Sequence, residues 1–320
     1  MNSESAPKVP APLRVSVILV SYNTCDLLRR ALTGLTGDAD VNEIWVVDNA
    51  SADGSAEMVR REFPEVGLIE NKVNRGFGRA NNQAIERATG DLILLLNSDA
   101  FPRPGAVGDL ARVFTDPSVM AAGGRLTFPD GRLQESACSR LTLWAIFCEQ
   151  LWLEKMFPQS RWLSPYWQSG RLAAQGPGPH PVVQVMGACL MMRPGLRFDE
   201  RFFLYVEDTE LCHRLQERGS ILYVPEAIFV HDLGASSEGT RWESIARYNR
   251  GKELYMRIHR GWFAASLAWK LNRLGALLRL AVYTGLWGLT LGRRGGTAVR
   301  LWSRVLVAPV KGPPEPPGAV

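Results

Sequence analysis

Cysteine chemistry has little place in this sequence. The five cysteines, Cys25, Cys138, Cys148, Cys189 and Cys212, are odd in number, widely spaced and without a C-x-x-C pair. That pattern excludes a dithiol motif or a cysteine zinc site and reads as reduced, mostly buried thiols of a cytosolic compartment. No glycine-rich loop ends in Gly-Lys-Ser/Thr and no dinucleotide fingerprint is present, so a Walker-type NTPase and a Rossmann oxidoreductase lose their main signatures. Long apolar runs are missing as well. The longest uncharged run in the C-terminal region, Leu280 to Gly292, is about a dozen residues against the roughly 20 that span a bilayer. The first twelve residues are rich in proline and polar groups, and the run Val15 to Val20 is long enough only for a strand, so no secretory signal is expected.

With 320 residues and 46% hydrophobic content, the chain can bury a full α/β core and carry an appendage. The formal charge of +5 is unevenly spread. Residues 241–304 hold 13 Lys/Arg against only Glu243 and Glu253, which leaves the remainder mildly acidic. Such a basic segment is drawn to an anionic surface, and its interleaved Trp and Leu residues favour lipid headgroups over nucleic acid. The expected organisation is a disordered tail (1–12), a catalytic domain (13–240) with an insertion at about 130–182, a basic amphipathic helical extension (241–310) and a flexible tail (311–320).

Strand and helix patterns alternate through the first hundred residues. Val15 to Val20 reads as a buried strand, Asp26 to Leu35 as a helix, and Ile44 to Val47 as a second strand. Asp53 is placed to N-cap a helix running to about Phe63. Val66 to Glu70 and the unbroken apolar Leu92 to Leu96 supply further strands, with a helix opened by Asn74-Arg-Gly-Phe-Gly78 between them. This predicts a parallel sheet buried on both faces, with ligands at the carboxyl ends of its strands. Those ends carry Ser21-Tyr22-Asn23, Asp48-Asn49 and Asn97-Ser98-Asp99. Beyond the insertion, rich in Trp, Pro and Gly, a strand-like run at Val182 to Met192 precedes a helix opened by Glu207-Asp208. A strand at Ile221 to Val224 and the segment Ile228 to His231 follow.

Several clusters carry possible chemistry. Asn97-Ser98-Asp99 suits a loop cap, but beside Asp48 it also suits Mg²⁺ or Mn²⁺, which need few protein carboxylates when a diphosphate supplies the other oxygens. Glu207 and Asp208 serve a helix N-terminus, or Asp208 serves as a general base. His231 is either a hydrogen-bonded structural residue or a nitrogen ligand to the same metal. Asn74, Gly76 and Arg79 are placed to meet phosphate or ribose.

Taken together, residues 15–23, Asp48 to Gly54, Asn74 to Asn81, Leu94 to Asp99 and Phe203 to Asp208 resemble the family 2 inverting glycosyltransferases, in a rhamnosyltransferase-like branch. The resemblance covers about residues 13–235. It implies a glycosyltransferase A fold: a Rossmann-like, mostly parallel sheet flanked by helices, here with a C-terminal helical, membrane-associating extension. It places the base-binding acid on Asp48, with Ser21, Tyr22 and Asn23 lining the nucleotide pocket. The metal motif D-x-D falls on Asn97-Ser98-Asp99 with its first carboxylate replaced by an amide, leaving Asp99 as principal ligand with His231. Asp208 falls on the catalytic base, and Gly187 on a segment facing the donor sugar. The implied partners are a dTDP- or UDP-sugar donor and a lipid-linked or polysaccharide acceptor, met at the inner face of the cell membrane by a peripherally attached enzyme. The implied reaction is metal-dependent transfer of a deoxyhexose such as rhamnose. The alternative is a catalytically silent nucleotide-sugar-binding scaffold. A processive polymerase is disfavoured by the missing Gln-x-x-Arg-Trp motif and spanning helices.

Overall fold

The computed structural model describes residues 13–232, 241–291 and 293–307. The two tails expected at 1–12 and 311–320, and the domain boundary expected at 240, lie outside the described residues. Strands β1 (Val15–Ser21), β2 (Glu43–Asp48), β3 (Gly67–Glu70) and β4 (Leu92–Asn97) alternate with helices α1 (Cys25–Leu35), α2 (Ser55–Glu62) and α3 (Phe77–Ile85). They pair in parallel in the spatial order β3-β2-β1-β4. The chain therefore adds strands first to one side of β1 and then to the other, which opens a crevice at the carboxyl ends of β1 and β4. Ser21 lies opposite Asp48, and Val20 opposite Asn97, so the expected polar residues share that edge.

The sheet is mixed rather than purely parallel. Beyond β4, the strand Cys189–Met192 runs antiparallel both to β4 and to Val119–Thr127. Its antiparallel course brings its starting end to the carboxyl end of β4, where Asn97 N–H donates to the Ala188 carbonyl at 3.1 Å. The strand-like run from Val182 breaks into His180–Val182, Gln184–Val185 and Cys189–Met192. The break falls where Met186 N–H turns to Ser136 and Gly187 N–H turns to Asp208 instead of continuing a ladder.

The two segments expected after residue 220 are one strand, Ser220–His231, with a register shift between Val224 and Ile228. Pro225 sits in that irregularity, where its missing N–H costs no ladder bond. The bend lets the last residues pair antiparallel with Ala100–Pro102 and sets His231 opposite Ala100. Asp53 is not the N-cap of α2. Gly54 holds that place at a φ of 83°, while Asp53 accepts from Ser55 N–H and from Cys25 N–H at the start of α1.

The segment expected as an insertion contains the short helices Leu143–Gln150, Leu153–Met156 and Ser169–Ala173. The C-terminal region is helical from Arg241 to Leu289, interrupted at Gly261 (φ 82°, ψ 179°), and closes with Gly296–Val307. No described helix is long and apolar enough to cross a membrane. The helices are not loosely attached. Tyr255, Met256, Ala264 and Ala268 share one apolar cluster with Ile146 of the insertion and with Phe202 and Val206 before the Glu207-Asp208 helix. Lys252, fully buried, is paired with Glu149 at 2.7 Å. All five cysteines are free, and all but the partly buried Cys25 are buried.

Candidate active site

Asp48 ends β2 with its carboxylate buried. One oxygen accepts from Ser51 N–H at 3.0 Å, while Oδ1 has no partner. An unpaired buried acceptor at a strand end is a place for a ligand donor, because leaving it unmet costs free energy. Asn23 (φ 55°) closes the neighbouring turn, its side chain accepting from Ala52 N–H and its own N–H reaching Ser51 Oγ. Tyr22 stands exposed beside it. Ser21 and Ser98 are joined through Thr24 by hydroxyl contacts of 2.9 Å, a link between the ends of β1 and β4 that the sequence reading missed.

Asn49 is placed to shape the site. Its amide donates to Asn74 Oδ1 and the Gly76 carbonyl, and its oxygen accepts from Arg75 N–H and Asn71. Asn74 in turn accepts from Gly76 N–H. Gly76 has a φ of 84°, and an added Cβ would lie 2.3 Å from the Phe203 carbonyl that accepts from Phe77 N–H. Gly76→Ala is therefore expected to destabilise the fold by about 1–3 kcal/mol, read by denaturant unfolding, because it combines backbone strain with a backbone clash. Arg79, expected near phosphate, instead engages Glu200 at 2.7 Å.

Beyond β4, Asp99 and His231 are both buried, with Asp99 Oδ1 and His231 Nε2 3.2 Å apart. His231 Nδ1 lies 2.6 Å from Gln134 Oε1, a contact that orients the ring with Nε2 toward the carboxylate. At that distance the carboxylate and the ring nitrogen can share a cation, either a proton or a metal ion. The donor set fits a divalent ion: a carboxylate and an oriented imidazole, with Gln134 as the partner that orients the ring. No group of three or more His, Cys, Asp or Glu that would hold an ion occurs among the described residues, so an ion held here would need further oxygens from a ligand. Asn97, in the place of a first carboxylate, turns its amide toward His231 Nε2 at 3.4 Å.

Asp208 sits in the first turn of the helix Glu207–Gln216. Oδ2 accepts from Gly187 N–H at 2.8 Å and Oδ1 from Thr209 N–H at 2.7 Å. Burial raises its pKa above the ordinary aspartate value, opposed by those backbone donors, and so leaves it a stronger base than a solvated carboxylate. Glu207 is pushed much further up by burial and then by the adjacent Asp208, and its Oε2 is unpartnered. Glu210 is turned away into an ion pair with Arg214 at 2.6 Å, consistent with a positioning role.

Two residues before the helix, Tyr205 and Val206, have φ of 72° and 70°. A β-branched residue in the left-handed region is strained, and such strain persists only where the surroundings enforce it. Gly251 of the C-terminal helix supplies that support: an added Cβ would lie 2.7 Å from the Tyr205 carbonyl and 2.9 Å from Val206. The extension thus braces the turn that presents Asp208, a role with no local sequence signal.

The model of glycosyl transferase family 2 matches residues 16–175. The chain belongs to this family. It is 28% identical over 276 residues to the N-acetylglucosaminyl-diphospho-decaprenol L-rhamnosyltransferase of Mycobacterium tuberculosis H37Rv, covering 80% of this chain and 88% of that protein. The succinoglycan biosynthesis protein ExoU of Rhizobium meliloti is 32% identical over 103 residues, 31% of this chain and 30% of that one. Among solved structures, GalNAc-T7 with UDP, GalNAc and Mn²⁺ superposes with a TM-score of 0.52 at 16% identity, covering 76% of this chain and 48% of that chain. This last likeness concerns the fold. The protein is a family 2 glycosyltransferase related to rhamnosyltransferases, built on a mixed α/β sheet of the glycosyltransferase A kind.

Proposed function

We propose that this glycosyltransferase moves a deoxyhexose, L-rhamnose, from a nucleoside diphosphate donor to a lipid-linked acceptor sugar, with inversion at the anomeric carbon. The observation that carries the reading is the placement of Asp208. It is a buried carboxylate, fixed by Gly187 and Thr209 N–H groups, whose partner Gly187 lies just ahead of the strand that pairs with β4. The sugar and the lipid-linked acceptor are taken from the mycobacterial relative, which spans most of both chains.

In this reading the unpaired Asp48 Oδ1 accepts the N3–H of the thymine or uracil of a dTDP- or UDP-sugar, and Tyr22 lies against the nucleotide. Asp99 and His231 hold Mg²⁺ or Mn²⁺, the imidazole nitrogen favouring Mn²⁺. When bound, the ion supplies charge neutralisation for the departing diphosphate. Asp208 takes the proton of the acceptor hydroxyl as its oxygen bonds to the anomeric carbon and the bond from that carbon to the diphosphate oxygen breaks. A single displacement from the opposite face inverts the configuration. A lipid-linked acceptor places the reaction at the cytoplasmic face of the cell membrane, with the enzyme in peripheral contact.

A thermal-shift panel of nucleoside diphosphates and their sugars, with and without Mg²⁺ or Mn²⁺, tests donor recognition. A ligand at 100 times its Kd stabilises the native state by about 2.7 kcal/mol. The expected result is a metal-dependent rise in Tm with thymidine or uridine diphosphate. A rise with guanosine diphosphate alone would contradict the assignment of the base pocket.

A further inference from the structure

The helix over 262–289 turns its small residues and two polar groups inward and leaves large apolar side chains exposed. Its inward face carries Ala264, Ala268, Asn272, Ala276 and Arg279, all buried, whereas Phe263, Leu267, Leu274 and Leu277 face solvent with Lys270 among them. The exposed positions follow one another at the three- and four-residue spacing of a single helix face. A helix packed on a water-surrounded domain turns its apolar stripe inward, so this arrangement needs a cause.

The buried polar groups fix it. Asn272 donates to the Asn249 carbonyl and to Glu253, while Arg279 donates to the Gln150 and Gly275 carbonyls and lies 4.6 Å over the Trp152 ring and 5.0 Å over Trp302. Rotating the helix to hide the leucines would strand an amide and a guanidinium, so the fold holds the apolar face outward. At the ends of the same helix, Trp262, Leu286, Trp287 and Leu289 are also exposed. The charge carried by this helix and the segment after it has one sign. No acidic residue occurs between Glu253 and Glu315, whereas Arg257, Arg260, Lys270, Arg293, Arg294 and Arg300 all present exposed cations.

We propose that this face lies in the plane of an anionic lipid bilayer, with Phe263, Leu267, Leu274 and Leu277 entering the acyl boundary and the cations meeting lipid phosphates. Aromatic and aliphatic groups flanked by Arg and Lys match the two attractions that hold an interfacial helix. Lys270 reaches the headgroups with its stem along the apolar surface. The inference deepens the reading of a lipid-linked acceptor and rests on it for its purpose, but its test reads binding alone. Because the same C-terminal region braces the Tyr205-Val206 turn, the bilayer-bound element is mechanically continuous with the support of Asp208.

The test is co-sedimentation of the full chain with vesicles of phosphatidylcholine alone or with phosphatidylglycerol added, for the wild type and for Leu274→Glu/Leu277→Glu. Deleting the helix is unsuitable, since Ala264 and Ala268 belong to an apolar cluster. The expected result is binding to the anionic vesicles, little to phosphatidylcholine, and at least a tenfold weaker partition for the variant with Tm unchanged. Equal sedimentation of wild type and variant would overturn the proposal. So would a wild-type dimer in light scattering that becomes monomeric in the variant without vesicle binding, which would make the face a contact between copies. A wild type that transfers sugar but binds no vesicles refutes only this inference, whereas a wild type that binds vesicles without any transfer refutes only the reading of function.

Discussion

Asp208→Asn is expected to lower kcat by about 10²–10⁴-fold, the usual worth of a positioned general base, while donor binding and the fold are kept. The amide preserves the shape of the carboxylate. It can still accept one of the two N–H groups from Gly187 and Thr209, so a destabilisation of about 1 kcal/mol accompanies the loss. Stopped assays give kcat, and titration with nucleoside diphosphate gives the retained affinity. The pH dependence follows from burial. The base must be deprotonated to accept the acceptor's proton, and its pKa is raised by desolvation, so wild-type kcat falls as pH falls through a value above the ordinary aspartate range. A variant retaining wild-type turnover would remove Asp208 from the chemistry.

Asp99→Ala is expected to weaken metal-dependent donor binding by about 100-fold or more, since loss of even an orienting partner of a metal ligand typically costs about 10–100-fold. Gln134→Ala, which removes only the acceptor that holds the His231 ring, is expected in that lower range. The two substitutions separate a ligand from its support. Thermal unfolding of Asp99→Ala in metal-free buffer reads the structural cost of losing the 3.2 Å contact with His231 apart from any effect on metal. Isothermal titration of Mn²⁺ with nucleoside diphosphate, beside thermal unfolding without metal, checks both parts. Equal affinity in the variant would place the ion elsewhere.

Much of the β1–β4 half is legible in the sequence because its signals are local. The apolar runs at Val15 and Leu92 set strands buried on both faces, and their polar ends reach one edge whatever the rest of the chain does. The meeting of Asp99 with His231 was one of two readings of that histidine from the residues, and the one the family resemblance implied. The structure supplies its cause, a strand bent at Pro225 whose last residue pairs beside Asp99. What escaped the sequence depends on contacts made across long separations. Gln134 reaches His231 over 97 residues, and Thr24 reaches Ser98 over 74. Arg79 beside a glycine-containing loop gave no warning that Glu200 would claim it. The run from Val182 to Met192 has strand character throughout, yet Gly187 leaves the ladder because its N–H is needed by a carboxylate 21 residues later. In the C-terminal helix, composition indicated amphipathicity but not that Asn272 and Arg279 point inward while large apolar side chains point out. That depends on where Gln150, Asn249 and Glu253 lie.

The measurement that tests the central claim most directly is transfer itself. The purified chain is incubated with dTDP-L-rhamnose, an N-acetylglucosaminyl-diphospho-polyprenol and Mn²⁺ or Mg²⁺, and the lipid product is followed by mass with its new linkage read by NMR. The account predicts acceptor-dependent release of thymidine diphosphate and one added deoxyhexose of inverted anomeric configuration, abolished by Asp208→Asn. Metal-dependent donor binding without any transferred sugar would contradict it and leave a silent nucleotide-sugar-binding protein. Product of retained configuration would contradict the single displacement assigned to Asp208.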